Sequence, residues 1–147
     1  MTIRPARVTD GASWERMREA LWPSAPGEHA REIERYFAGE LCEPVEVLLA
    51  LDAQGDAVGL IELSIRTHAE GCDTDHVGFI EGWYVEPSSR RKGVGAALVQ
   101  AAESWARSQG CVELGSDSEA DNVSSAAAHA ALGFTETGLI RCFKKAL

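Results

Sequence analysis

The sequence predicts one α/β (α+β) domain spanning residues 1–147. Three observations predict it: strand-like and helix-like segments alternate along the whole length, the chain has the size of one core, and no linker divides it. Apolar residues make up 45% and charged residues 25%, ordinary proportions for a globular chain in water. No apolar run approaches the ~18 residues of a membrane span. Met1 to Arg7 lacks the apolar core of a signal peptide, so the expected compartment is the cytoplasm.

The elements follow in order. Thr2 to Ala6 reads as a short strand, and Asp10 is placed to cap a helix carrying Trp14, Met17 and Leu21 on one face. Pro23 and Pro26 break it, and a second helix is expected from about Glu28 to Gly39 with Ile33 and Phe37 inward. Val45 to Leu51, the turn Asp52 to Asp56 and Ala57 to Ile65 read as a hairpin. A polar loop, Thr67 to Asp75, precedes the strand Val77 to Val85. Val94, Ala97, Leu98, Ala101 and Trp105 recur at helical spacing, predicting a helix from Gly95 to Gln109 that Gly110 ends as a C-cap. Val112 to Ser116 is a short strand, Asn122 opens a last helix, and Gly133 stops it. Phe134 to Thr137 and Leu139 to Lys144 read as closing strands.

Arg90-Arg91-Lys92-Gly93-Val94-Gly95 stands between a strand and a helix. A glycine-containing turn at a helix start offers unpaired N–H groups and the positive end of the helix dipole, and three cations are added there. Such a site suits a polyanion, a pyrophosphate above all. The loop is not a phosphate-binding Gly-Lys-Ser/Thr sequence, and Leu98 stands where the third glycine of a dinucleotide fingerprint belongs.

The net charge of −9 sets this basic loop in an acidic molecule. Nucleic acid is excluded as a natural partner, and a cationic substrate is favoured. Cys42, Cys72, Cys111 and Cys142 are widely spaced, with no C-x-x-C and no paired histidines, so neither a metal site nor structural disulfides are expected.

Two carboxylates stand out. By strand alternation Val77, Phe79, Glu81, Trp83 and Val85 share a face that is otherwise apolar. A carboxylate there needs a partner or a task. An ion pair with Arg66, a bulge turning Glu81 outward, and a place in a cleft beside the reacting group all satisfy that need; we read it as functional. Asp117 follows the Val112 to Ser116 strand, where the carboxyl end of a strand borders a crevice. A turn-forming role for it is the alternative.

Arg90-x-x-Gly93-x-Gly95, with the preceding strand, Asn122 and His129 to Phe134, resembles the acetyl-CoA loop of the GCN5-related N-acetyltransferases. Within that superfamily the wording is most similar to the aminoglycoside 6′-N-acetyltransferases. Leu21-Trp22-Pro23, Ser64-Ile65-Arg66 with Gly71-Cys72-Asp73, Phe79-Ile80-Glu81-Gly82, Gly115-Ser116-Asp117 and Leu132-Gly133-Phe134 carry that likeness. The resemblance covers essentially the whole chain. It implies a single acetyltransferase domain over 1–147, a mixed central sheet of 6–7 strands with helices on both faces, and a homodimer joined through the C-terminal strands. It implies direct acetyl transfer from acetyl-CoA to the 6′-amine of an aminoglycoside, hence antibiotic resistance.

By the same resemblance Asp117 and Glu81 are catalytic and substrate-binding, with Asp117 the candidate base, and Trp22 lines the substrate pocket. The backbone of Trp83, Tyr84 and Val85 would hold pantetheine and the acetyl carbonyl. Arg90, Arg91, Lys92, Gly93, Val94, Gly95 and Ala96 would hold the pyrophosphate, and Asn122 and His129 would contact coenzyme A. Four positions depart from the family pattern. His129 replaces a general-acid tyrosine, and Phe143 provides no phenol in the last strand. Gly138 and Ala25 replace a glutamate and a histidine that contact the drug. These keep two rival readings open: acetylation of another cationic amine (polyamine, amino sugar or peptide N-terminus), and a non-catalytic coenzyme A-binding module.

Overall fold

A computed structural model describes residues 1–147. The strands are β1 (Thr2–Pro5), β2 (Glu46–Leu51), β3 (Ala57–Arg66), β4 (Val77–Val85) and β5 (Leu114–Ser116). The helices are α1 (Gly11–Leu21), α2 (Glu28–Phe37), α3 (Val94–Ser108) and α4 (Val123–Ala131). One sheet runs β1-β2-β3-β4-β5, antiparallel through β4 and parallel between β4 and β5.

Both faces of the sheet are covered, which is why β2 and β3 are apolar at nearly every position. Val47, Leu49 and Leu60 point to one face and pack with Trp14 and Met17 of α1 and Ile33 of α2. Leu48, Ala50, Ile61, Leu63 and Ile80 point to the other and meet Val94, Leu98, Val99 and Ala102 of α3. The helical spacing that predicts α1 and α3 is therefore the spacing of the residues that reach these two cores. Glu62 is the charged exception on the α1 face, 1% exposed. It accepts from Trp14 Nε1 at 2.7 Å and has Arg18 Nε at 3.2 Å, and burial raises its pKa.

Two expectations fail. The sheet has five strands rather than 6–7, because residues 135–147 form no secondary structure. Their large apolar side chains are not buried in the chain: Leu139 is 74%, Ile140 67% and Phe143 89% exposed. Asp10 also does not cap α1. Its carboxylate turns back to Arg4 (2.7 and 3.0 Å) and to the backbone N–H of Arg7 (2.7 Å), tying β1 to the first turn instead. A bidentate guanidinium outcompetes a single capping N–H for the same oxygens.

Candidate active site

The central feature is a bulge in β4. Leu63 pairs with Ile80 and Glu62 with Gly82, so Glu81 is an extra residue with no partner on β3. The insertion resets the alternation. Val77 and Phe79 lie on the α1 side and Ile80 on the α3 side, then Glu81 and Gly82 both face the α1 side, Trp83 and Val85 the α3 side, and Tyr84 the α1 side. Glu81 therefore does not share a face with Trp83 and Val85, as uninterrupted alternation predicts.

Two of the three readings of Glu81 coexist. It sits at the bulge, and both its oxygens accept from Arg66, Nε at 2.9 Å and Nη2 at 2.8 Å. The guanidinium lies 3.6 Å from the centre of the Phe79 ring. The hydrogen bond from Arg66 to Glu81 raises the Arg66 pKa, and the charges of Asp117 and Glu43 add to the effect. Asp117, exposed just beyond β5, is thus brought into the same electrostatic neighbourhood as Glu81. Glu81 has both oxygens committed to Arg66, whereas Asp117 is exposed and open to incoming groups.

Trp22 forms the wall beside this cluster. A Cβ on Gly82 would lie 2.5 Å from Trp22 Cη2, so the indole rests directly on the bulged strand while remaining 37% exposed. His29 Nε2 donates to the Trp22 carbonyl at 2.7 Å, and the Arg18 guanidinium is 5.5 Å from the ring. Ala25 lies in the loop that follows, and Gly138 in the segment without secondary structure.

The other edge of β4 opens at the same place. β5 pairs with β4 only at Gly78, Phe79 and Ile80, so Gly82 to Val85 have a strand partner on the β3 side alone. An extended, amide-bearing molecule entering that gap would complete the strand, the pattern of β-strand addition. Val85 is partly closed to it, because its carbonyl accepts from Arg90 Nε at 2.8 Å. Trp83 Nε1 is buried without a partner, near the start of α3. A buried donor with nothing to bond argues for a polar group that enters there.

α3 begins at that gap. Gly93 adopts φ 83° and offers no side-chain cap, so the N–H groups of Val94, Gly95 and Ala96 have no acceptor. Gly95 packs closely on the indole: a Cβ would stand 3.1 Å from Trp83 Cζ2. Arg90 and Lys92 bind the carbonyls of Val85 and Ser88 and so brace the loop (both 2.8 Å). Arg91, at φ 60°, is the loop cation whose side chain has no hydrogen-bond or ion-pair partner. Unpaired donors, a helix dipole and a free cation together fit a pyrophosphate.

Asn122 Oδ1 caps α4 by accepting from Ser125 N at 3.1 Å and also accepts from Ser124 Oγ at 3.1 Å. His129 faces the gap from α4, with its ring edge-on to Trp83 (5.3 Å) and Phe134 (5.1 Å). Its Nε2 is 2.7 Å from Ser116 Oγ. Sequence reasoning gave Ser116 no role, and no spacing signal ties a strand residue to a helix residue 13 positions on. It likewise missed Glu113, which accepts from the backbone of Asp73 and Thr74 and from the Thr74 hydroxyl. No group of three or more His, Cys, Asp or Glu side chains is arranged to hold a metal ion. No helix is long and apolar enough to cross a membrane.

Comparison with known proteins agrees with this geometry. The profile of the Acetyltransferase (GNAT) family matches residues 14–134. An aminoglycoside N(6′)-acetyltransferase type 1 of Klebsiella aerogenes is 51% identical over 146 residues, covering 99% of this chain and 96% of the relative. Among solved structures, the apo aminoglycoside antibiotic 6′-N-acetyltransferase of Acinetobacter haemolyticus superposes with a TM-score of 0.90 at 38% identity, covering 100% of this chain and 99% of that one. The enzyme AAC(6′)-Iy, solved with the bisubstrate analogue CoA-S-monomethyl-acetylneamine, gives a TM-score of 0.89 at 33% identity, covering 99% and 98%. The uncapped helix start and the opened strand thus lie in a chain that belongs to the GNAT acetyltransferase family, beside the aminoglycoside 6′-N-acetyltransferases.

Proposed function

We propose that the chain is an acetyl-CoA-dependent aminoglycoside 6′-N-acetyltransferase, transferring acetyl directly to the drug amine and so conferring resistance. The observation that carries this reading is the opening of β4 from β5 at the bulge. It sets a gap fit for an acyl carrier against a carboxylate cluster fit for a cationic acceptor. The relatives bearing the 6′-acetyltransferase name, and the bisubstrate complex of one, supply the acceptor.

The residues divide accordingly. The Val94, Gly95 and Ala96 N–H groups with Arg91 hold pyrophosphate, and the free edge of Trp83 and Tyr84 aligns the pantetheine arm. Asn122, at the start of α4, contacts coenzyme A. Bound acetyl-CoA supplies an acetyl group activated as a thioester. Glu81, its charge fixed by Arg66, and Asp117 hold ammonium groups of the drug, while Trp22 offers an apolar surface to a sugar ring. An ammonium has no lone pair, so Asp117 takes a proton from the amine before attack. Backbone N–H groups on the free β4 edge stabilise the oxyanion that then forms.

Direct transfer fits the thiols. Burial raises the pKa of Cys72 and of Cys111, and Glu113 and Asp73 raise that of Cys72 further, so neither is a ready nucleophile. The reaction needs no metal. We further propose a single catalytic domain over 1–147, working in the cytoplasm as a homodimer joined through the C-terminal segment. The net charge of −9 favours polycationic drugs over nucleic acid.

Release of free coenzyme A tests the reading. It should be fast with drugs bearing a free 6′-amine and absent with 6′-hydroxyl analogues. Asp117→Asn should lower kcat by about 100-fold. Turnover with spermidine or a peptide amine but with no drug would replace the acceptor and keep the donor.

A further inference from the structure

We propose that Ser116 is the general acid for the departing thiolate, recharged by His129; this rests on the acetyltransferase reading above. Ser116 is paired with Ile80 in the last rung before β4 and β5 part, so its hydroxyl stands at the mouth of the gap. The neighbouring Gly115 faces Phe79 on the α1 side, which sends the Ser116 side chain to the α3 side with Trp83.

The tautomer follows from the partners. His129 Nδ1 lies 2.8 Å from the Ser125 carbonyl, closer than the 3.3 Å to Ser125 Oγ. A carbonyl only accepts, so Nδ1 carries the hydrogen in the neutral ring and Nε2 carries the lone pair. Nε2 therefore accepts the Ser116 hydroxyl hydrogen across 2.7 Å. The edges of Trp83 and Phe134 hold the ring in that plane.

This arrangement has two states. In the neutral state the Ser116 hydrogen is turned toward His129. When His129 gains a second proton, Nε2–H donates to Ser116 Oγ and the hydroxyl hydrogen turns into the gap. As the carbon–sulfur bond breaks and its electron pair goes to sulfur, Ser116 gives its proton to the sulfur and takes the Nε2 proton of His129. The drug ammonium gives up two protons in becoming an amide. One restores His129, carried by solvent, and the other leaves by way of Asp117. The relay thus fills the role left open by the absence of a phenol at positions 129 and 143.

Ser116→Ala, Ser116→Thr and His129→Gln test it alongside the wild type. Ser116→Ala and His129→Gln should lower kcat by about 100-fold, Ser116→Ala with acetyl-CoA affinity, measured by calorimetry, within about twofold; Ser116→Thr should recover most of the rate. Nitrogen-15 NMR of labelled histidine should show the Nδ1–H tautomer in the wild type and a shifted Nε2 resonance in Ser116→Ala. An unimpaired kcat in Ser116→Ala overturns the relay, as does a Ser116→Ala that has lost acetyl-CoA binding, or an Nε2–H tautomer in the wild type. A wild type that binds acetyl-CoA yet acetylates no amine overturns the underlying reading instead.

Discussion

At the scale of the residue, Gly82 decides where the acceptor wall stands. Trp22 occupies the space a side chain at 82 would fill, with Cη2 2.5 Å from the Cβ position, and both sit beside the Glu81–Arg66 pair. Van der Waals contact needs well over that distance, so Gly82→Ala has to push the indole away from the bulge. Gly95 meets Trp83 in the same way on the cofactor side, at 3.1 Å. Two tryptophans are therefore seated on two glycines, one on each side of β4. Gly82→Ala is expected to lower stability by about 1–3 kcal/mol and to raise the KM for the drug while leaving that for acetyl-CoA unchanged. Steady-state kinetics with each substrate varied in turn measures the split. An equal rise in both constants would mean that the two sides of β4 are not independent.

At the scale of the element, the loop between β3 and β4 is clamped at Asp73 and Thr74 by one side chain. Glu113 accepts from Asp73 N at 3.0 Å, Thr74 N at 2.7 Å and Thr74 Oγ1 at 2.6 Å. The Thr74 hydroxyl first, then the two backbone N–H groups, hold its pKa below the ordinary value. A carboxylate depressed in this way binds its loop fully above the ordinary glutamate pKa of about 4.3 and releases it as pH falls through the lower folded value. The Thr74 amide resonance should therefore titrate below that ordinary value in the wild type and lose this transition in Glu113→Gln. A transition at the ordinary value would show that the clamp does not form in solution. The clamp could not be read from the sequence, and the bulge stood there only as one of three readings of Glu81, for a common reason. Helices α1 and α3 were legible because a period repeated over three turns is redundant, and the glycine loop because its chemistry is local. The bulge is a single inserted residue inside an otherwise apolar strand, and it reverses the facing of everything after Glu81. Asp10 read as a cap because its partner Arg4 competes only in three dimensions. Ser116 meets His129 across elements, and no local pattern announces that contact.

At the scale of the whole molecule, the sheet ends on its weakest strand. β5 is three residues long and is the last in the order, so its outer edge carries no partner within the chain. Within the segment that reads as closing strands, no residue pairs with the sheet, and Leu139, Ile140 and Phe143 are 74%, 67% and 89% exposed. Each such side chain gains about 1.5–3 kcal/mol when fully buried, so three leave a substantial driving force for association. A second copy of the chain carries the matching open edge and the matching apolar segment, which makes a two-fold pairing self-complementary. Such a pairing would also convert the expected closing strands into real ones, supplied with backbone partners by the neighbour. Sedimentation should accordingly give a dimer for the wild type and a monomer for Leu139→Asp combined with Phe143→Asp, since two like charges per copy are brought together on closure. The doubly substituted chain should keep the circular dichroism of its helices, because both cores are built from residues preceding 103. A wild type that sediments as a monomer would leave these side chains without a partner of their own kind and remove the homodimer from the proposed function.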